Sequence, residues 1–234
     1  MYRILKTFNL ITSPAYIAVS AADRFKQPTK GVHELWQTDF SYFRIVGWGW
    51  YYLSTVMDDY SRYILAWRLS ASMTSTDIME TLNMARAQAG IDRVRVHYKP
   101  RLLSDNGTCY LSRDLKAYME ERDMTHTRCA RYHPKTQGKT EWYHRSIKNV
   151  VNLQHFYLPG ELKQEIERFV EYYNNQRYHE SLDNLTPADV YFGRKRERLT
   201  VREMIKRETM KLRRAYNLGK RELIKQLQIT KITP

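Results

Sequence analysis

Apolar and polar positions alternate through residues 35–69 in three runs, which predict three strands. Residues 35–46 alternate around Asp39, and residues 50–57 are rich in aromatic and β-branched side chains. Residues 63–69 follow turn chemistry at Asp58-Asp59-Tyr60-Ser61-Arg62, and Gly47-Trp48-Gly49 joins the first two runs, giving an antiparallel meander. The period then becomes helical. Ile78, Leu82 and Ala85 mark one face of a helix over Ser75–Ala89, with cap candidates at Thr74 to Asp77 and a stop at Gly90. A short strand at Arg101–Ser104 ends at Asp105-Asn106-Gly107, a second helix covers residues 111–122, and residues 124–128 form another short strand. Residues 136–156 carry a long helical pattern, which Pro159 and Gly160 break before a helix over 161–177. This order predicts an α/β fold, a mixed five-stranded sheet flanked by helices.

Composition adds a partner. Of 234 residues, 42% are hydrophobic, enough for a core and too many for a disordered chain. No apolar run approaches the roughly 18 residues that cross a membrane. Asn9, Thr12, Ser13 and Pro14 interrupt the N-terminal apolar stretch, so it makes a poor secretory signal. Cys109 and Cys129 make no disulfide framework and fit a reducing cytoplasm. The net charge of +14 points to a polyanion, and its spread is uneven: +3 over residues 1–35, +1 over 36–190 and +10 over 191–234. A near-neutral body with a basic arm suits a catalytic domain followed by a segment that grips a nucleic-acid backbone, the plainer alternative being a solvated helix face. Val201, Ile205 and Leu212 among many Lys and Arg predict a basic amphipathic helix over 197–214, interrupted at Gly219 before residues 220–228.

Three carboxylates stand in unusual surroundings. Asp39 lies inside a predicted strand, where Asp is disfavoured, Asp105 ends another, and Glu141 sits on a predicted helix. Together, three carboxylates suit a hard divalent cation such as Mg²⁺, which takes oxygen ligands and leaves room for water and phosphate. A pair of such ions can serve in-line phosphoryl transfer. His126, Cys129 and His133 have a zinc-like spacing but no fourth ligand.

The segments around these acids, with others, carry a family resemblance. Thirty-five residues separate Asp105 from Glu141. WQTDFSYF, MDDYSRYILAW, LLSDNGTCY and HPKTQGKTEWYHRSIK, followed by YNNQRYHESL and TPAD, resemble the DDE integrase core of retroviral integrases and bacterial insertion-sequence transposases over about residues 33–192. The resemblance implies an RNase H-like fold, catalysis and metal binding by Asp39, Asp105 and Glu141, two Mg²⁺ or Mn²⁺ ions, and DNA cleavage and strand transfer during transposition. It divides the chain into a linker or helix-turn-helix remnant (1–32), a catalytic core (33–192) and a basic helical extension (193–234). DNA is the implied partner, with a homo-oligomer on DNA, a separate helix-turn-helix subunit to recognise element ends, a bacterial cytoplasmic location and no membrane. The alternatives are a catalytically silent truncated transposase that binds DNA or inhibits assembly, and a nuclease of RNase H type that only hydrolyses.

Candidate DNA contacts surround the triad. Lys148 lies seven residues after Glu141, two turns along the same helix face, and Lys139 and Arg145 are weaker candidates of the same kind. An ion pair with Glu141 is the competing role for Arg145. His133 and Gln137 belong to the loop leading into that helix, and Asn106 follows Asp105. Gly107 is expected to permit a tight turn that presents Asp105. Asp58 and Asp59 are expected to be structural, with Arg62 as partner, and Asn175, Arg177 and His179 to pack the last core helix.

Overall fold

The computed structural model describes residues 29–92, 99–128 and 138–229. In chain order the elements are β1 (Leu35–Ile45), β2 (Gly49–Asp58), β3 (Ile64–Ser70), α1 (Ser75–Ala89), β4 (Arg101–Ser104), α2 (Arg113–Glu121), β5 (His126–Arg128), α3 (Gly138–Val151), α4 (Pro159–Asn175), α5 (Pro187–Tyr191) and α6 (Lys195–Ile229). The expected mixed five-stranded sheet is present, in the order β3-β2-β1-β4-β5. β1, β2 and β3 are antiparallel neighbours, while β4 runs parallel to β1 and β5 parallel to β4. The β1–β2 turn needs its glycines, because Gly47 and Gly49 have φ of 80° and 92°.

Helices cover both faces of the sheet, as a largely buried sheet requires. On one face Trp36, Val56 and Leu102 pack against Ile78 and Leu82 of α1 and Leu115 and Met119 of α2. On the other, Phe43, Leu53 and Met57 pack against Tyr143 and Ile147 of α3 and Leu162, Ile166 and Phe169 of α4. Thr74 caps α1 in a reciprocal pair with Asp77, and Gly90 ends it with φ of 65°.

Three boundaries differ from expectation. α3 ends at Val151, five residues early, because the chain tightens through Leu153 N–H to Val150 O (3.3 Å) and Gln154 N–H to Val151 O (3.2 Å). The Phe156 carbonyl then accepts from Val46 N–H at 2.9 Å, which ties the chain to the β1–β2 turn. Pro159 and Gly160 open α4, where a missing N–H costs nothing. Gly219 does not interrupt the tail, since α6 runs unbroken from Lys195 to Ile229. One glycine costs a helix about 1 kcal/mol, too little to break a long one. Almost every side chain from Val201 to Lys220 is exposed, so α6 projects from the core.

Candidate active site

The site begins where two parallel strands diverge. β4 pairs with β1 only through Leu35, Trp36 and Gln37, the last opposite Leu103. Two further steps along each strand bring Asp39 beside Asp105. This is the carboxyl end of β4 and of its parallel pairing with β1, the usual place for a site in such sheets. Asp39 Oδ1 accepts from Phe40 N–H at 2.8 Å, and Asp105 Oδ1 accepts from Gly107 N–H at 2.8 Å. Gly107 has φ of −57°, so it is needed for closeness and not for a left-handed turn. A Cβ there would stand 3.0 Å from Asp105 Oδ1.

The two carboxylates set two negative charges side by side. Burial pushes the Asp105 carboxyl above its ordinary range, the Gly107 N–H pulls against that, and the Asp39 charge adds to the upward push. Burial raises the buried Tyr110 hydroxyl, and the charges of Asp39 and Asp105 raise it further. Among the described residues neither carboxylate has a Lys or Arg partner. A site of two adjacent acids with no cation of its own fits a hard divalent ion.

Glu141 sits in the first turn of α3 and is exposed. It is not gathered with the other two, for no group of three His, Cys, Asp or Glu side chains among the described residues is placed to hold a metal. The start of α3 is nevertheless firmly held. Thr140 Oγ1 donates to Gln37 Oε1 at 2.6 Å, Gln37 Nε2 donates to Asp59 Oδ1 at 2.6 Å, and Lys139 Nζ reaches both Asp59 O and Oδ2 at 2.8 Å. These contacts join Gln37, two residues before Asp39, to Thr140, one before Glu141.

Lys139 therefore has a protein partner. The Lys148 ammonium lies 4.0 Å from the centre of the exposed Tyr42 ring. Arg145 is exposed and makes no ion pair with Glu141 among the described residues. Asn106 is exposed beside Asp105, while His133 and Gln137, like Cys129, lie outside the described residues. Asp58 and Asp59 are buried in the β2–β3 turn. The partners of Asp58 are His33 N–H at 2.8 Å and the Ser61 N–H and hydroxyl at 2.8 and 2.6 Å, not the Arg62 side chain.

Two contributors were not foreseen. Buried His144, three residues after Glu141 and so on a neighbouring helix position, places Nδ1 3.2 Å from Asp39 Oδ2. Asn174 donates to Ile64 O at 3.1 Å and accepts from Ile64 N–H at 2.9 Å, which fastens edge strand β3 to α4. The expected packing role of the late motif holds for Arg177, stacked 4.4 Å over Trp142, and for His179, wedged edge-on against Trp142 and Tyr173.

Two family models, both described as integrase core domain, match residues 30–134 and 122–187. The chain is 26% identical over 161 residues to the transposase for insertion sequence element IS904 of Lactococcus lactis, covering 67% of this chain and 60% of that protein. It is 25% identical over 193 residues to the transposase for IS629 of Shigella sonnei, covering 80% and 62%. The chain thus spans about three fifths of the length of these relatives. Among solved structures, the HTLV-2 integrase catalytic core in complex with magnesium superposes with a TM-score of 0.56 at 19% identity, covering 70% of this chain and 99% of that one. The shared architecture is RNase H-like.

Proposed function

Residues 30–187 of this chain belong to the integrase core domain family, and from that premise we propose that the protein is a DNA transposase that cuts and joins DNA strands during transposition. The observation that carries the reading is the placing of Asp39 beside Asp105 where β1 and β4 diverge, with no Lys or Arg partner for either among the described residues. Asp39, Asp105 and Glu141 are the residues that would hold the metal. Two Mg²⁺ or Mn²⁺ ions, when bound, supply activation of the attacking oxygen and charge stabilisation at the leaving one. Magnesium in the HTLV-2 integrase core of like fold supports the choice of metal.

The chain's own residues do the rest. Gly107 N–H and His144 hold the two aspartates in place. The chain Thr140–Gln37–Asp59–Lys139 fixes the base of α3, whose first turn carries Glu141, the third residue that would hold the metal. Lys148, with Arg145, Asn106, His133 and Gln137, contacts DNA phosphates and orients the strand. Core residues 33–192 perform the chemistry, and the basic residues 193–234 extend the DNA contact. The protein works in the bacterial cytoplasm as a homo-oligomer on paired element ends, with end recognition from a helix-turn-helix region or subunit. No described helix is long and apolar enough to cross a membrane.

The test is nicking and joining of supercoiled DNA and of oligonucleotides from the element's flanking ends, with Mg²⁺ or Mn²⁺, comparing the chain with Glu141→Gln. Metal-dependent products lost in the variant support the reading, and joined strands select transfer over hydrolysis. DNA binding without any product from either protein would overturn it in favour of a silent assembly partner.

A further inference from the structure

A second polar cleft, of about 260 Å³, lies where the end of the core meets α6, and none of the candidate catalytic residues lines it. Arg194, Arg198 and Arg202 line it together with Asn175, Tyr178 and Asp189. The arginines recur every fourth residue, one helical turn apart. Arg194 and Arg198 each donate Nε–H to the same oxygen, Asp189 Oδ1, at 3.1 and 3.2 Å. Among the described residues their terminal nitrogens have no hydrogen-bond partner. Arg202 is held by the carbonyls of Asp183 and Asn184, both at 2.6 Å.

Three guanidinium groups against one carboxylate leave the cleft two positive charges in excess. Asp189 acts as an anchor more than a neutraliser. It takes only the Nε–H of each arginine and leaves the terminal donors of both forks open. A fork held in this way matches the oxygens of a phosphate in geometry and charge. It also loses little side-chain freedom on binding, because the protein has already ordered it. From the cleft, α6 leads away with Lys206, Arg207, Lys211, Arg213 and Arg214 exposed. A single polyanion lying in the cleft can therefore continue along the helix, as a free anion cannot.

We propose that this cleft is a phosphate-binding site that grips a backbone phosphate of DNA at the junction of core and α6. The ligand assignment rests on the reading of the chain as a protein that acts on DNA. The cleft's chemistry alone would also accept inorganic phosphate.

The experiment measures duplex-DNA affinity of the full chain against salt concentration, for wild type, Arg198→Gln and a control, Lys116→Gln on α2. Arg194 remains on Asp189 in the Arg198 variant, so no buried charge is stranded, and a thermal melt verifies the fold. Should that variant unfold, Arg202→Gln probes the same cleft. The expected result is weaker binding to every sequence and a salt slope shallower by about 0.9, one phosphate contact, in the cleft variant only. An unchanged slope, or an equal change in the control, overturns the site. A second arm compares the melting temperature in millimolar phosphate and in chloride of equal ionic strength. Stabilisation by phosphate that Arg198→Gln abolishes, with an unchanged DNA slope, overturns DNA as the ligand. Failure of the wild type to bind DNA at all strikes the transposase reading itself, an outcome distinct from loss of the cleft alone.

Discussion

His144 Nδ1 stands 3.2 Å from Asp39 Oδ2, and the imidazole, carried on α3, is buried with no partner for its Nε2 among the described residues. Among the described residues the ring thus directs its one polar contact at a carboxylate that is proposed to hold metal. Partners of that kind orient a ligand, and their removal typically costs about 10–100-fold in activity or metal affinity. His144→Ala is expected to slow metal-dependent nicking by that factor and to raise the Mg²⁺ concentration for half-maximal rate. DNA affinity should stay within about twofold, since the ring is covered. His144→Asn keeps a donor and is expected to recover most of the rate. Wild-type nicking by the alanine variant would remove His144 from the mechanism.

Lys139 separates an anchor from a DNA contact. Its ammonium is engaged by Asp59, whose side chain is only 6% exposed. Lys139→Met is expected to lower stability in urea by about 1–2 kcal/mol, by stranding part of a covered charge beside a partner still open to solvent. The slope of DNA affinity against salt should not change. A shallower slope at unchanged stability would make Lys139 a phosphate contact instead.

His179 gives the fold an acid limit. Burial, with Arg62 and Arg177 nearby, pulls its pKa from 6.5 down to about 4. The unfolded chain then binds the proton more readily than the folded one. Stability is complete above about pH 6.5 and falls as pH drops toward 4. Between pH 7 and pH 5 the wild type is expected to lose up to about 2 kcal/mol more than His179→Gln. Parallel urea midpoints for the two proteins across that range would exclude this histidine as the cause.

Asn174 does for edge strand β3 what a neighbouring strand would do, pairing with both polar groups of Ile64. Asn174→Ala leaves two buried backbone groups without partners, and the expected cost is about 2–3 kcal/mol in equilibrium denaturation. A loss under about 0.5 kcal/mol would mean that water replaces the amide.

Much of the fold was legible locally. The alternation of β1 and β2, the cap at Thr74 and the stop at Gly90 are short-range preferences that a few neighbouring residues satisfy. The end of α3 was less legible, because the chain beyond it is held by a distant partner. α3 stops at Val151 and five residues later the Phe156 carbonyl is captured by Val46, which no pattern within the helix announces. Asp39 stood out as an acid inside a strand, whereas His144 looked like an ordinary helix residue, although its position one turn after Glu141 was a signal open to use.

Periodicity and spacing, then, were enough to establish the elements of the core, the basic arm and the acids worth watching, because each depends on residues close in sequence. The approach of Asp39 to Asp105 depends on β4 lying parallel to β1 across an antiparallel meander and a helix. The role of Lys139 depends on a buried aspartate 80 residues away, and the cleft at Arg198 on a core turn folding back to the start of α6. Those pairings are chosen by which faces can be buried together, a property of the whole packed chain and of no single segment within it.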